Sequence, residues 1–252
     1  MPIIYEPRGK AKEYADLAVN LFTGCRHACR YCYCPAILRK SLDDWAKEPS
    51  PRNNILKQLE REVAKFTDFD KEVLFSFMSD PYQDEFAAGF TREAVKMCGE
   101  AGIRMRLLTK NGLLPRTDFA MFKQYDLALG STIIFDDETF REHWEPGASP
   151  LAERVEMLRL AKEEGIRTWA SIEPVIDPIQ GLRVIRDLSE FVDVLKIGRW
   201  NHDARANEID WYGFLKDTMT ILKDAPCSYY IKKDLWTFAD DAVKAIGSQS
   251  RT

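Results

Sequence analysis

Six short apolar runs punctuate the chain: LAVNLFTG (17–24), EVLFSFM (72–78), RMRLLTK (104–110), LALGSTIIF (127–135), RTWASIEPV (167–175) and DVLKIGR (193–199). Each is too short for an isolated helix, rich in Val, Ile, Leu and Phe, and bounded by turn or charged residues. That pattern predicts buried strands. Between them lie amphipathic stretches with apolar residues three and four apart: NNILKQLEREVAKF (53–66), TREAVKMCGEAG (91–102) and PLAERVEMLRLAKEEG (150–165). The last two end in Gly, a common helix stop. Thr91 suits an N-cap and Pro150 a first helical turn. Residues 176–191 and 208–225 read as two further helices.

Strand and helix thus alternate about six times, which predicts an α/β fold with a parallel sheet and helices outside it. Six units are fewer than the eight of a closed barrel, so an open, partial (β/α)6 barrel is expected, with a doubly wound sheet as the alternative. Either architecture places reactive loops at the C-terminal ends of the strands. No repeat, low-complexity segment or linker divides the chain. The expectation is one domain over 1–252, with the barrel at about 17–225 and a C-terminal extension at 226–252.

The 252 residues are 45% hydrophobic and 30% charged, which argues against disorder. No apolar run approaches the roughly 18 residues needed to span a bilayer, and MPIIYEPRGKAKEY lacks a signal-peptide core. A soluble, cytoplasmic protein with no membrane partner is expected. The net charge of −4 lowers the expectation of general phosphate-backbone binding while leaving room for a local basic groove. Arg26, Arg30, Arg39 and Lys40 form one such run, and Lys232 with Lys233 a second small basic site.

Chemistry concentrates in N20-L-F-T-G-C25-R-H-A-C29-R-Y-C32-Y-C34-P35, directly after the first predicted strand. Four of the six cysteines fall here, and crowding of this kind in a cytosolic chain reads as metal binding before disulfides. Cys25, Cys29 and Cys32 have the spacing C-x3-C-x2-C, which lets three thiolates converge on an iron–sulfur cluster and leaves one iron open. Structural zinc on all four cysteines, or on His27 with three of them, is the competing reading, as are buried reduced thiols. Zinc sites usually pair two separated knuckles, and no second pair exists. Cys98 and Cys227 are expected to be structural, and a second cluster, which would need all three remaining cysteines, is not expected.

C-x3-C-x2-C with Tyr31 before the last cysteine resembles the signature of the radical S-adenosylmethionine enzymes. The resemblance implies a partial (β/α)6 barrel and a [4Fe–4S] cluster on Cys25, Cys29 and Cys32. It also implies bound S-adenosylmethionine, cleaved to a 5′-deoxyadenosyl radical, and an electron donor of flavodoxin or ferredoxin type. Within that superfamily the chain resembles the spore photoproduct lyase-like branch, also labelled DNA repair photolyase-like. YCY around Cys32, FMSDPYQDEF (77–86), LLTKNG (107–112) and EPGASPLAERVEMLRLAKEEGI (145–166) carry the resemblance, which covers residues 17 to about 200.

That branch implies cofactor contacts from Tyr31, Tyr33, Ser79, Asp80, Lys110, Ser131 and Glu173. Ser79 and Asp80 would receive the cofactor's ammonium group, or else form an Asp-Pro turn. Lys110 would meet its carboxylate, or else be a solvated lysine before Asn-Gly. Ser131 would contact ribose or carboxylate, or else be a core hydroxyl bonded to backbone. Glu173, in an apolar strand, needs a cation, a ribose or a substrate, with Lys196 as a candidate partner in a structural ion pair. Arg199, Asn201 and His202 are weaker candidates for the mouth.

The lyase itself carries a hydrogen-returning cysteine two residues before the Ser-Asp pair, where this chain has Phe77. Cys34 is the alternative thiol, and Tyr33 matches a tyrosine of the lyase's radical relay. The expected substrate is a nucleic-acid base or nucleotide. A peptide or small metabolite under the same chemistry, and a zinc-stabilised non-enzymatic binding module, are the alternatives.

Overall fold

The computed structural model describes residues 2–249. All six apolar runs form parallel strands of one sheet: β2 (Leu17–Val19), β5 (Glu72–Phe75), β6 (Arg104–Thr109), β7 (Ala128–Thr132), β8 (Thr168–Val175) and β9 (Val194–Arg199). Two more strands extend it. β1 (Ile4–Tyr5) lies antiparallel on β2, and β10 (Ser228–Ile231) lies parallel on β9. The order β1-β2-β5-β6-β7-β8-β9-β10 leaves the sheet open, with β1 and β10 at its two edges. A separate hairpin-like pair, β3 (Phe22–Thr23) and β4 (Ser50–Pro51), follows the first parallel strand.

Within the C-terminal extension expected at 226–252, residues 228–231 are a further sheet strand. Its SYYI sequence alternates only weakly, with Ser228 exposed and the other three side chains half-buried, so it lacks the apolar density of the six inner strands.

The helices run in chain order as α1 (Cys34–Ile37), α2 (Leu42–Lys47), α3 (Ile55–Val63), α4 (Glu85–Glu100), α5 (Phe119–Gln124), α6 (Glu138–Trp144), α7 (Leu151–Glu163), α8 (Pro178–Ser189), α9 (Trp211–Leu222), α10 (Lys233–Trp236) and α11 (Asp241–Gln249). The predicted helices appear as α3, α4, α7, α8 and α9. α4 starts two turns before Thr91, since Asp84 caps it by accepting the Ala87 N–H at 2.8 Å. Thr91 lies inside the helix and donates to the Pro81 carbonyl at 2.7 Å. Pro150 stands at the N-cap of α7 rather than within its first turn.

Strand residues alternate between two cores, as a period of two requires. Leu17, Val19, Val73, Phe75, Leu129 and Ala170 face outward into the layer between sheet and helices. Ala18, Leu74, Ala128 and Trp169 face inward, where the ring of Tyr14 joins them. The lumen is therefore packed. Gly130 makes room for Trp169: a Cβ there would lie 2.3 Å from the indole.

Tyr14 arrives from a 3-10 turn, Gly9–Glu13, that bridges the two sheet edges. Glu13 accepts from Tyr230 Oη (2.9 Å) and the Lys233 N–H (2.8 Å). Lys10 pairs with Asp234 at 2.6 Å, and Lys196 Nζ donates to the carbonyls of Glu13 and Tyr14 at 3.1 and 2.6 Å. The N-terminal segment is a strap across the opening of the sheet.

Candidate active site

The loop from Gly24 to Tyr33 lies over the C-terminal ends of the strands and is fastened from three sides. Cys25 N–H donates to the Trp45 carbonyl at 3.2 Å, and Arg26 N–H to Gln83 Oε1 at 2.8 Å. Arg30 N–H donates to the Trp144 carbonyl (2.8 Å), and Gly147 N–H returns a bond to the His27 carbonyl (3.0 Å). Gly147 is required for that approach, because a Cβ would fall 2.2 Å from the Arg26 carbonyl oxygen. Beneath the loop, buried His27 places Nδ1 2.9 Å from the Gly147 carbonyl and Nε2 2.8 Å from Asp80 Oδ2.

Cys25, Cys29 and Cys32 are free thiols, with Cys29 buried and the other two half-buried. Burial pushes the Cys29 thiol up to about 12 and raises Cys25 as well. Cys32 is raised by its contact with the Cys34 thiol and by burial. Among the described residues no three His, Cys, Asp or Glu side chains close to the spacing that holds a single ion. Three thiols carried on one anchored loop have instead the donor chemistry that fits an iron–sulfur cluster.

Lys110 follows β6 and extends to the loop. Its Nζ lies 5.7 Å from the centre of the Tyr31 ring and has no hydrogen-bond acceptor among the described residues. Burial works to lower its pKa, but the acidic groups at Cys29, Glu145 and Asp80 outweigh it and hold the ammonium protonated. A cation kept charged without a hydrogen-bonded partner suits a carboxylate arriving from outside.

Asp80 does not point at open space. Besides His27, its carboxylate accepts from Tyr82 N–H (2.8 Å), Thr109 Oγ1 (2.7 Å) and Lys110 N–H (2.5 Å). Burial would raise its pKa, yet these partners hold it below the ordinary range. In this arrangement the carboxylate joins the cysteine loop to β6. Ser79 is half-buried, and its carbonyl accepts from Ser76 Oγ at 2.7 Å. Ser131 has no exposure and donates to the Thr109 carbonyl at 3.0 Å, the geometry of a core hydroxyl.

Glu173 does pair with a lysine, but with Lys232 (2.9 Å) rather than Lys196, which is turned to the strap's carbonyls. Tyr14 Oη donates to the same carboxylate at 2.6 Å and lies 2.7 Å from Ser171 Oγ. Burial raises the Glu173 pKa against the opposing pull of Lys232. Lys232 is only 3% exposed, so the small basic site expected at 232–233 reduces to Lys233 on the surface.

Tyr33 is 41% exposed, while Cys34 is buried with its Sγ 3.5 Å from the Phe77 carbonyl. Tyr31 donates through its hydroxyl to Glu145. Glu145 and Arg154 are a fully buried ion pair at 2.5 Å, and sequence reasoning missed both as site residues. An Arg within the apolar face of the predicted 150–165 helix was the available signal. Asn20 was also missed. Its Oδ1 accepts from the N–H groups of Phe77 (2.9 Å) and Met78 (3.0 Å), fixing the turn after β5.

The sequence family model of the radical SAM superfamily matches residues 19–192. The chain belongs to the radical SAM superfamily, and is thus an enzyme of a class that uses S-adenosylmethionine, an iron–sulfur cluster and a reductant. An uncharacterised protein of Acidianus two-tailed virus is 27% identical over 201 residues, which cover 75% of this chain and 65% of that protein. An uncharacterised protein of Methanocaldococcus jannaschii is 26% identical over 165 residues, 64% of this chain and 61% of that protein. The chain thus matches less than two thirds of either relative. A spore photoproduct lyase variant superposes with a TM-score of 0.69 at 14% identity, over 90% of this chain and 79% of that one. SuiB of Streptococcus suis bound to S-adenosylmethionine gives 0.63 at 13% identity, over 89% and 52%. These likenesses establish the fold. No helix among the described residues is long and apolar enough to cross a membrane.

Proposed function

We propose that Cys25, Cys29 and Cys32 hold a [4Fe–4S] cluster and that the enzyme acts on a nucleic-acid base or nucleotide. When bound, the cluster supplies the electron that cleaves S-adenosylmethionine to methionine and the 5′-deoxyadenosyl radical, which takes hydrogen from the substrate. The observation that supports the reading is the pairing of three anchored thiols with the uncommitted Lys110 ammonium beside Cys29.

Lys110 would receive the cofactor carboxylate, the Ser79 hydroxyl would add a contact, and Tyr31, which lies under the Lys110 ammonium, is held by Glu145. Asp80 acts through His27 and the Lys110 backbone as a positioning residue. Ser131 and Glu173 support the cofactor pocket through Thr109 and Tyr14. Cys34 would return hydrogen: its S–H bond breaks as the substrate radical gains a C–H bond, the thiyl so left takes hydrogen from the adjacent Tyr33 O–H, and the tyrosyl radical is restored by one electron from the reductant and a proton from solvent, which reaches half-exposed Tyr33. The Cys34 thiol reaches the Phe77 backbone, so a hydrogen donor stands beside that turn although residue 77 is not a cysteine. The reductant is of flavodoxin or ferredoxin type, and nucleic acid is the substrate the spore photoproduct lyase-like branch suggests.

The test is anaerobic reconstitution with iron and sulfide, then reduction by dithionite with S-adenosylmethionine and assay for 5′-deoxyadenosine. Product that disappears in Cys25→Ala, Cys29→Ala and Cys32→Ala is expected. A well-formed cluster on other residues, or product that survives these changes, overturns the assignment.

A further inference from the structure

Two rings that belong to neither hydrophobic core lie together at the mouth of the sheet. Tyr33 projects from the cysteine loop, and exposed His202 projects from the turn after β9. Their centroids are 6.2 Å apart with planes inclined by 36°. Neither ring's polar atoms have a hydrogen-bond partner among the described residues. A planar ring sandwiched between them would need about 6.8 Å, twice the 3.4 Å spacing of stacked bases. At 6.2 Å and 36° the two rings are in tilted contact with each other, so a base enters between them only after one ring turns aside.

Both rings are held by stiff backbone. Tyr33 lies between half-buried Cys32 and buried Cys34, at the N-cap of α1. His202 takes a left-handed conformation (φ +66°), and its neighbour Asn201 donates to the Arg199 carbonyl (3.0 Å) and to Asp234 (3.1 Å). Trp200 underneath is buried against Trp144, with Arg205 stacked on both rings.

The surroundings are basic. Exposed Arg30 reaches a ring nitrogen of exposed His143 at 3.4 Å and has no ion-pair partner among the described residues. Beyond α1, exposed Arg39 and Lys40 have no ion-pair partner among the described residues. Aromatic faces for bases, flanked by basic side chains for phosphates, are how single-stranded nucleic acid is bound without sequence readout.

We propose that Tyr33 and His202 form a clamp that takes one unpaired base of a nucleic-acid strand, with Arg30, His143, Arg39 and Lys40 on its phosphates. This rests on the radical chemistry above and names the substrate class of the same site. The clamp presents the base directly beside the cysteine loop. The purine of S-adenosylmethionine has the same stacking chemistry, so the experiment must separate the two sources.

The reconstituted protein is titrated with short fluorescein-labelled single-stranded DNA and RNA, each with and without an abasic position. S-adenosylmethionine binding is measured in parallel by calorimetry, for wild type, His202→Ala and His202→Phe. Stacking of one base predicts that His202→Ala weakens strand binding roughly five- to hundred-fold. His202→Phe restores it, the abasic position costs wild type but not His202→Ala, and S-adenosylmethionine affinity is unchanged. Equal strand affinity in wild type and His202→Ala overturns the clamp, as does a loss confined to S-adenosylmethionine. Wild type that forms 5′-deoxyadenosine but binds neither strand overturns the clamp and leaves the radical assignment standing. Strand binding with no 5′-deoxyadenosine does the reverse.

Discussion

Arg154 keeps its charge at zero exposure because Glu145 accepts from it at 2.5 Å and the carbonyls of Ser149 and Thr132 take two further N–H bonds. The pair is asymmetric in its consequences. Removing one partner of a buried ion pair strands the other charge and costs about 3–5 kcal/mol. Glu145→Gln should therefore lower the unfolding free energy of the cluster-free protein, read from urea titration, by that amount, while Glu145→Asp keeps most of it. Lys196 is the opposite kind of residue. Burial lowers it to about 7, Arg106 and Lys232 push the same way, and Glu72 and Asp16 oppose them. The folded lysine loses its proton near pH 7 and the unfolded one near 10.5, so between these values the unfolded state binds more protons. Stability from this group is complete above pH 10.5, falls as pH drops towards 7, and is flat below. Wild type compared with Lys196→Met should show the difference as a slope of at most about 1.4 kcal/mol per pH unit over that window.

Among the elements, the strands were legible because both faces of the sheet are covered, so each reads as a dense apolar run regardless of context. α5 and α6 were not, since six or seven residues give too little periodicity to separate helix from loop. The start of α4 was misread because Asp84 follows a turn, and its cap is indistinguishable in sequence from the Asp-Pro turn before it. Asp84→Ala should cost about 1 kcal/mol in thermal or urea unfolding, through loss of the bond from Ala87. That cysteines gather on one loop was legible from spacing alone, whereas the groups that fasten that loop were not. Glu145 and Gly147 meet the loop only after folding, so no local pattern marks them, and Asp80 stood out in the sequence only as a cofactor contact, not as a support of the loop. Gly147→Ala tests one such support. The added Cβ must displace the Arg26 carbonyl, and iron bound per chain after reconstitution should fall at least twofold while far-ultraviolet circular dichroism stays unchanged.

At the scale of the whole molecule, an open sheet has two edges and an exposed interior, and the strap at Gly9–Glu13 answers both. Tyr14 fills the lumen between Ala18, Leu74, Ala128 and Trp169 and satisfies Glu173. Tyr14→Ala should destabilise by about 3–5 kcal/mol in denaturant titration, as loss of a fully packed aromatic does. Tyr14→Phe should cost about 1 kcal/mol, the worth of the hydroxyl's bonds. Glu173 was recognisable in sequence as needing a cation. Its true partner was hidden because Lys232 follows a strand that pattern reading left out of the sheet.

The anchoring of the cysteine loop also sets a clock on the ribosome. His27 and its partner Gly147 are separated by 120 residues. At about 5–20 residues per second, roughly 6–24 s pass between synthesis of the cysteines and arrival of the segment that fastens them. During that interval the thiols are made but not yet gathered, exposed to oxidants and to stray metal ions. Any machinery that delivers iron and sulfide to this enzyme meets a finished receptacle only after residue 154 has emerged and paired with Glu145.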